Sequence, residues 1–275
     1  MESNHSRRGR GSVSDIAPCE LLTWDSEFWG FPVARVLGEE LSQARAEAID
    51  RWCRERAVRC LYFLVGSANR QAAHAAEAAA FRLVDIRMTF ERHLHGIITS
   101  EETADPFPGG LDPALSTPSP GLRVRPAEAA DVCTLQRIAR SAYRETRFYY
   151  DENFPRARCD ALYETWIARS CQGYAQAVLV ADVEGTAVGY VTCHVLKDGS
   201  LGSIGLVGVS GEAAGHGVGQ TLVLASLDWF EARGVRTVEV VTQARNVPAQ
   251  RLYQRCGFLT RQVQLWYHKW YAAPG

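Results

Sequence analysis

The order of segments in this chain predicts an α/β protein built on mixed sheets. Three observations carry that reading. Short β-branched or aromatic runs alternate, in two successive blocks, with longer stretches whose apolar residues recur every three to four positions. A stretch dense in proline, glycine, serine and acid, residues 99–121, separates the blocks. In the second block a strand turns into a helix through three glycines at alternate positions, Gly215, Gly217 and Gly219. The expected organisation is a disordered tail over 1–18, a small α/β domain over 19–98, a linker over 99–121 and a larger domain over 122–275.

Met1 to Ser14 carries four Arg or His side chains and no apolar stretch, so it reads as a tail rather than a leader. Leu21 to Phe31 and Val33 to Val36 suggest strand segments around a turn. A helix from Leu41 to Arg56 leads to a strong strand, Cys60 to Val65. A second helix, Arg70 to Phe81, leads to a strand from Leu83 to Arg92. This block has no glycine phosphate turn and reads as scaffold or interface. Beyond the linker, Leu122 to Pro126 is a short strand, and Asp131 to Tyr143 is an amphipathic helix with Val132, Leu135, Ile138, Ala139 and Ala142 on one face. A polar loop and a helix from Asp160 to Ser170 follow. Ala177 to Asp182 and Ala187 to Thr192 are strands joined by a turn at Val183 to Thr186. A strand from Ser203 to Val209, a helix ending at Gly234, a strand from Val235 to Thr242 and a helix between Asn246 and Gly257 complete the block.

Composition excludes several classes. A net charge of −1 offers no field for nucleic acid or an anionic membrane, and no run approaches the roughly 20 apolar residues of a membrane span. The eight cysteines contain no C-x-x-C pair; Cys53, Cys60, Cys133, Cys171 and Cys193 fall inside helix or strand patterns. They read as reduced, small buried hydrophobes of a cytoplasmic protein. His93 and His95 alternate at a strand end without a ligand partner, so no metal site is expected.

The turn Ala214-Gly215-His216-Gly217-Val218-Gly219 carries chemistry. Glycines let the backbone approach a ligand, and the first amides of the following helix have no intrahelical acceptor, which makes an anion site suited to a diphosphate. A glycine turn without a ligand remains the plain alternative. A Walker loop would need Lys where Gln220 stands. A dinucleotide fingerprint would need G-x-G-x-x-G, and its acidic residue would fall on Glu239, in mid-strand.

The pattern N-x-x-A-x-x-L-Y-x-x-x-G-F runs from Asn246 to Phe258, after a strand and a glycine turn on a long helix. It resembles the GNAT family of acetyl-CoA-dependent N-acetyltransferases. The resemblance implies a GNAT fold for the larger domain, a smaller GNAT-like N-terminal half, acetyl-CoA as co-substrate and no metal. It places the CoA pyrophosphate on Gly215, Gly217 and Gly219, a cofactor hydrogen bond on Asn246, and on Tyr253 the acid that protonates the departing thiolate. The family usually has Gln or Arg where this chain has Ala214. Strand amides of Leu206, Val207, Gly208 and Val209 would meet the thioester oxygen or the pantetheine amides. A thiol has a pKa of about 8.5 and tyrosine about 10, so proton transfer to sulfur becomes feasible as charge develops. Outside this motif, Tyr253 would read as a helix tyrosine packed in the core.

The opening L-T-W-D-S-E-F-W-G-F and the segment Ser141 to Phe148 further resemble a subgroup, the dTDP-fucosamine acetyltransferases. That implies a small-molecule amine acceptor, a dTDP-4-amino-4,6-dideoxy sugar. Arg147, Phe148 and Tyr149, with Tyr150, Arg156 and Arg158, would hold its nucleotide, arginine on diphosphate and aromatic on base. An ordinary solvated loop with aromatics packed beneath it is the alternative. Glu239, His194, Glu145 or a water chain are the choices for a base. Acetylation of another amine (peptide N-terminus, polyamine or aminoglycoside) or a non-catalytic CoA-binding module stays open, and a homodimer is compatible with either.

Overall fold

The computed structural model describes residues 17–94, 121–196 and 199–272. The expected tail and linker, and His95, lie outside these residues except for 17, 18 and 121. Contacts divide the chain into two units that are discontinuous in sequence. The smaller takes the chain up to Val65, Asn69–Arg82 and everything from Tyr267; the larger takes Gly66–Ala68 and Leu83–Trp266.

In the smaller unit β1 (Cys19–Leu21) lies antiparallel to β2 (Val33–Val36). Between them, where strand segments were expected, stands a helix, α1 (Thr23–Trp29). The aromatic spacing explains it: Trp24 and Phe28 are four apart and stack at 5.2 Å, as neighbours on a helix do. Ser26 Oγ donates to Leu22 O at 2.7 Å and accepts from Val33 N at 2.9 Å, tying both ends of α1, which stops at Gly30 with φ 80°. Helix α2 (Gln43–Glu55) starts where Ser42 Oγ accepts from Arg45 N, and buries Ala46, Ile49 and Cys53, one face at 3- to 4-residue spacing. It crosses to β3 (Cys60–Gly66), parallel to β2. Helix α3 (Arg70–Ala78) is capped by Asn69 and buries three alanines, Ala72, Ala73 and Ala76.

The larger unit opens with β4 (Arg82–His93), whose Arg82 alone belongs to the smaller unit. After β5 (Leu122–Pro126) comes α4 (Val132–Ala142), followed by a single turn, α5 (Arg147–Tyr150), where a polar loop was expected. Helix α6 (Arg156–Arg169) begins four residues earlier than the sequence pattern indicated. Pro155 caps it with φ −60°, and a proline loses nothing there because the first amides of a helix have no acceptor. Then follow β6 (Ala177–Val183), β7 (Thr186–Val195), β8 (Leu201–Val209), α7 (Val218–Glu231), β9 (Thr237–Gln243), α8 (Val247–Arg255) and β10 (Leu259–Trp270), of which the residues from Tyr267 on belong to the smaller unit.

Within this unit the strands lie in the order β10-β4-β9-β8-β7-β6-β5. β8 and β9 are parallel, while β4/β9, β7/β8, β6/β7 and β5/β6 are antiparallel, the mixed sheet that was predicted. Helix α7 presses Leu222, Val223, Leu227 and Phe230 onto Ile204, Val238, Val240 and Phe90, all buried. Each such side chain contributes about 1.5–3 kcal/mol relative to exposure. Of the five cysteines singled out, Cys53, Cys60 and Cys193 are buried, but Cys171 is half-buried and Cys133 exposed, on the solvent side of α4. Among the described residues no helix is long and apolar enough to cross a membrane, and no group of three or more His, Cys, Asp or Glu is placed to hold a metal ion.

Candidate active site

The site is made where β8 loses one neighbour. The parallel ladder to β9 runs from Leu201↔Thr237 to Ile204↔Val240 and ends there, while β8 continues to Val209. On the other edge Ser210 N donates to Val188 O at 2.8 Å, and Leu206 N donates to Thr192 Oγ1 at 2.9 Å. Antiparallel bonds alternate. With Gly189↔Val209 and Val191↔Val207 in register, Leu206, Gly208 and Ser210 turn their amides toward β7, and Val207 and Val209 turn theirs away. Four strand amides were expected to face a ligand. The alternation of the sheet leaves two, Val207 and Val209.

The glycine turn follows directly. Ser210 Oγ accepts from Ala213 N at 3.3 Å, and Ala214 is exposed and extended. Gly215 and Gly217 have φ of 83° and 78°, the left-handed region that penalises side chains, and nothing lies within 4 Å of where a Cβ would stand. Gly217 is the N-cap of α7, and Thr221 N is bonded back to its carbonyl at 3.0 Å. The amides of Val218, Gly219 and Gln220 therefore form the positive end of a fourteen-residue helix. The Val218 side chain is buried, so only its amide serves the turn, and His216 is exposed. Gly219 has a different reason: a Cβ there would meet Leu252 Cδ2 at 3.2 Å, so glycine lets α7 approach α8.

Asn246 caps α8, its Oδ1 accepting from Ala249 N at 3.2 Å, with Pro248 in the first turn. About two turns after that cap, Tyr253 is 5% exposed, its ring 6.1 Å from that of Phe90 and 6.0 Å from that of Phe258. Burial pushes its hydroxyl well above the usual tyrosine range, so it holds its proton at any ordinary pH. Three tyrosines that sequence reading did not single out accompany it. Tyr190 OH donates to Tyr143 OH at 3.2 Å, and Tyr143 stacks on Tyr163 at 4.3 Å. Burial raises all three, and Tyr143 also feels Tyr253. The set is a neutral, poorly hydrated wall of hydroxyls in which a developing charge is felt strongly.

The segment expected to meet the acceptor divides. Phe148 is buried edge-on to Phe154 at 5.2 Å, the packed arrangement that was the alternative reading, because its apolar ring gains more in the core. Tyr149 OH donates to Asp160 Oδ1 at 2.5 Å, and Arg144 and Arg156 lie over its ring. Arg147 has its guanidinium 4.0 Å from the Trp266 ring and 4.1 Å from that of Phe148. Of the base candidates, Glu239 is ion-paired to Arg261 and Glu145 is exposed. His194, which burial keeps toward the neutral form, lies 3.4 Å from Thr192 Oγ1.

Sequence reading missed Asp85 and Arg87 altogether. β4 runs beside β9 from Arg87↔Gln243 to His93↔Thr237, so its start shares one end of the sheet with the C-terminal ends of β8 and β9. Asp85 is 5% exposed, accepts from Ile86 N at 2.9 Å and from the Arg147 amide, and lies 3.7 Å from Arg245. Burial pushes its carboxyl up to about 6 against the pull of both arginines. Polar residues at every second position, Asp85, Arg87 and Thr89, alternating with Val84, Ile86, Met88 and Phe90, were the available signal.

Residues 138–258, from α4 through α8, match the acetyltransferase (GNAT) family. The chain is 26% identical over 179 residues to the spore coat polysaccharide biosynthesis protein SpsD of Bacillus subtilis, covering 63% of this chain and 61% of that one. It is 24% identical over 256 residues to the dTDP-fucosamine acetyltransferase of Escherichia coli O6:H1, covering 92% of this chain and 98% of that one. Among solved structures, a GCN5-related N-acetyltransferase from Sphaerobacter thermophilus superposes with a TM-score of 0.59 at 18% identity, covering 94% of this chain and 77% of that one, and so shares the fold. The parallel β8/β9 pair that parts before a glycine-capped helix, followed by the Asn246–Phe258 pattern, thus lies within the stretch that matches the acetyltransferase (GNAT) family.

Proposed function

We propose that the larger unit transfers an acetyl group from acetyl-CoA to the 4-amino group of a dTDP-amino-dideoxy sugar. One observation carries the transfer chemistry: the early end of the β8/β9 ladder, which turns the Val207 and Val209 amides beside the positive end of α7. The α7 amides and Gly215 and Gly217 hold the CoA diphosphate, and the Asn246 side-chain amide, its oxygen being committed to the cap, donates to the cofactor. The Val207 and Val209 amides receive the pantetheine arm and the thioester oxygen. The amine nitrogen attacks the thioester carbon, the carbonyl oxygen takes the charge, and the C–S bond then breaks. Tyr253 gives its hydroxyl proton to the leaving sulfur, and the proton lost by the amine restores it through solvent. The sugar assignment draws support from the dTDP-fucosamine acetyltransferase to which 92% of this chain is similar.

The test is thiol release from acetyl-CoA across a panel of dTDP-4-amino-4,6-dideoxygalactose, the free amino sugar, a polyamine, an aminoglycoside and a peptide N-terminus. The nucleotide-sugar is expected to have the highest kcat/KM. A higher value for any other amine replaces the substrate assignment, and release with none of them points to a CoA-binding module.

A further inference from the structure

Arg87 is half-buried on β4, and its Nη1 donates to a neutral amide oxygen, Gln264 Oε1, at 2.9 Å. Burial and the like charge of Arg147 both pull its pKa down, which means that two guanidiniums share one partly desolvated space. Arg245 enters the same space from the loop after β9. Its Nη2 donates to Val84 O at 2.7 Å and lies 3.7 Å from Asp85, and its guanidinium is 4.1 Å from the Tyr150 ring. Asp85 in turn accepts from the Arg147 backbone amide. Asp85 is turned to Arg245, whereas Arg87 is bonded to a neutral amide oxygen. Elsewhere the arginines of the segment are engaged differently. Arg156 donates to Tyr149 O and Arg144 pairs with Asp160.

We propose that Arg87 and Arg245, together with Arg147, form an anion pocket that binds the phosphate groups of the acceptor, with Asp85 as the positioning residue. The proposal rests on the acetyltransferase reading for its purpose and names the chemical class of the acceptor: one that carries a diphosphate. Arginine forks match phosphate oxygens in pairs, and desolvated cations of like sign are held together best by an anion between them. Trp266 and Tyr150, each against one of the guanidiniums, keep the planar heads oriented.

Two measurements test it on the full chain. The first reads thermal shift with inorganic pyrophosphate and with dTDP, and needs no turnover. Because pyrophosphate also suits the glycine turn, it is run in three backgrounds: wild type, Gly217→Val and Arg87→Gln. The dTDP shift is expected to persist in Gly217→Val and to fall away in Arg87→Gln, with at least a 10-fold weaker apparent Kd. A shift lost in Gly217→Val and kept in Arg87→Gln, or no shift in any background, overturns the pocket. The second reads kinetics with dTDP-4-amino-4,6-dideoxygalactose. Arg87→Gln and Arg245→Gln should each raise its KM by about 10- to 100-fold while KM for acetyl-CoA and kcat/KM for the free amino sugar stay put. An equal loss with both acceptors would make these arginines structural. Should no amine be acetylated, the acetyltransferase reading falls, and the dTDP shift still decides the pocket.

Discussion

Replacing Tyr253 by phenylalanine separates chemistry from packing, because the hydroxyl makes no hydrogen bond to a described residue while the ring is held by Phe90 and Phe258. The ring contacts survive, so the change in stability should stay within about 1 kcal/mol. The chemical step should suffer much more. An ordinary tyrosine is about 1.5 pKa units weaker than a thiol, roughly 2 kcal/mol uphill at rest. Burial raises Tyr253 further, but a thiolate leaving into the same space is penalised too, so the gap narrows as the C–S bond breaks. A positioned acid is worth about 10² to 10⁴ in rate, or about 2.7 to 5.5 kcal/mol of barrier. Given the raised acid, the lower part of that range is expected: kcat down by about 100-fold, KM for acetyl-CoA little changed. The assay is thiol release at saturating amine, with a thermal melt on the same preparation. Unaltered kcat with an unaltered melt would refute Tyr253 as the acid and hand the proton to water. The same burial predicts that kcat shows no alkaline loss from Tyr253 ionisation below about pH 10.

Three further outcomes are expected. Gly217→Val forces a branched side chain into φ 78°, at a cost of at least about 1–2 kcal/mol, and puts it where the turn is open; the thermal stabilisation by CoA should disappear, and one equal to wild type would dismiss the turn as the diphosphate site. Asn246→Asp keeps the oxygen that caps α8 but removes the amide donor, so Tm should hold while KM for acetyl-CoA rises; Asn246→Ala should lose about 1 kcal/mol as well, and equal KM in all three would reduce Asn246 to a cap. Asp85 titrates near 6 in the folded chain against about 3.9 unfolded, so the folded state binds more protons between those values and stability falls as pH rises through that window, by about 3 kcal/mol. Denaturant melts from pH 4 to 7 should show this fall in wild type and lose it in Asp85→Asn; parallel profiles would mean the carboxyl is not raised.

Much of this protein is legible one segment at a time. β-branched runs, helical spacing and end signals such as Asn246 and Gly257 are local, and so is the glycine turn, whose backbone needs only glycine at Gly215 and Gly217. What decides the site is non-local. Whether Val207 or Gly208 offers its amide depends on which neighbour β8 has on each edge and where the ladder to β9 ends, and no residue of β8 records that. The i,i+4 spacing of Trp24 and Phe28 was local, but the bond from Val33 N that holds Ser26 forms only once the chain has turned back. Arg87 and Arg245 lie 158 positions apart, and they meet because β4 runs antiparallel beside β9. Their identities were readable from the start; their proximity is a product of strand order, which backbone pairing across the sheet sets and composition does not.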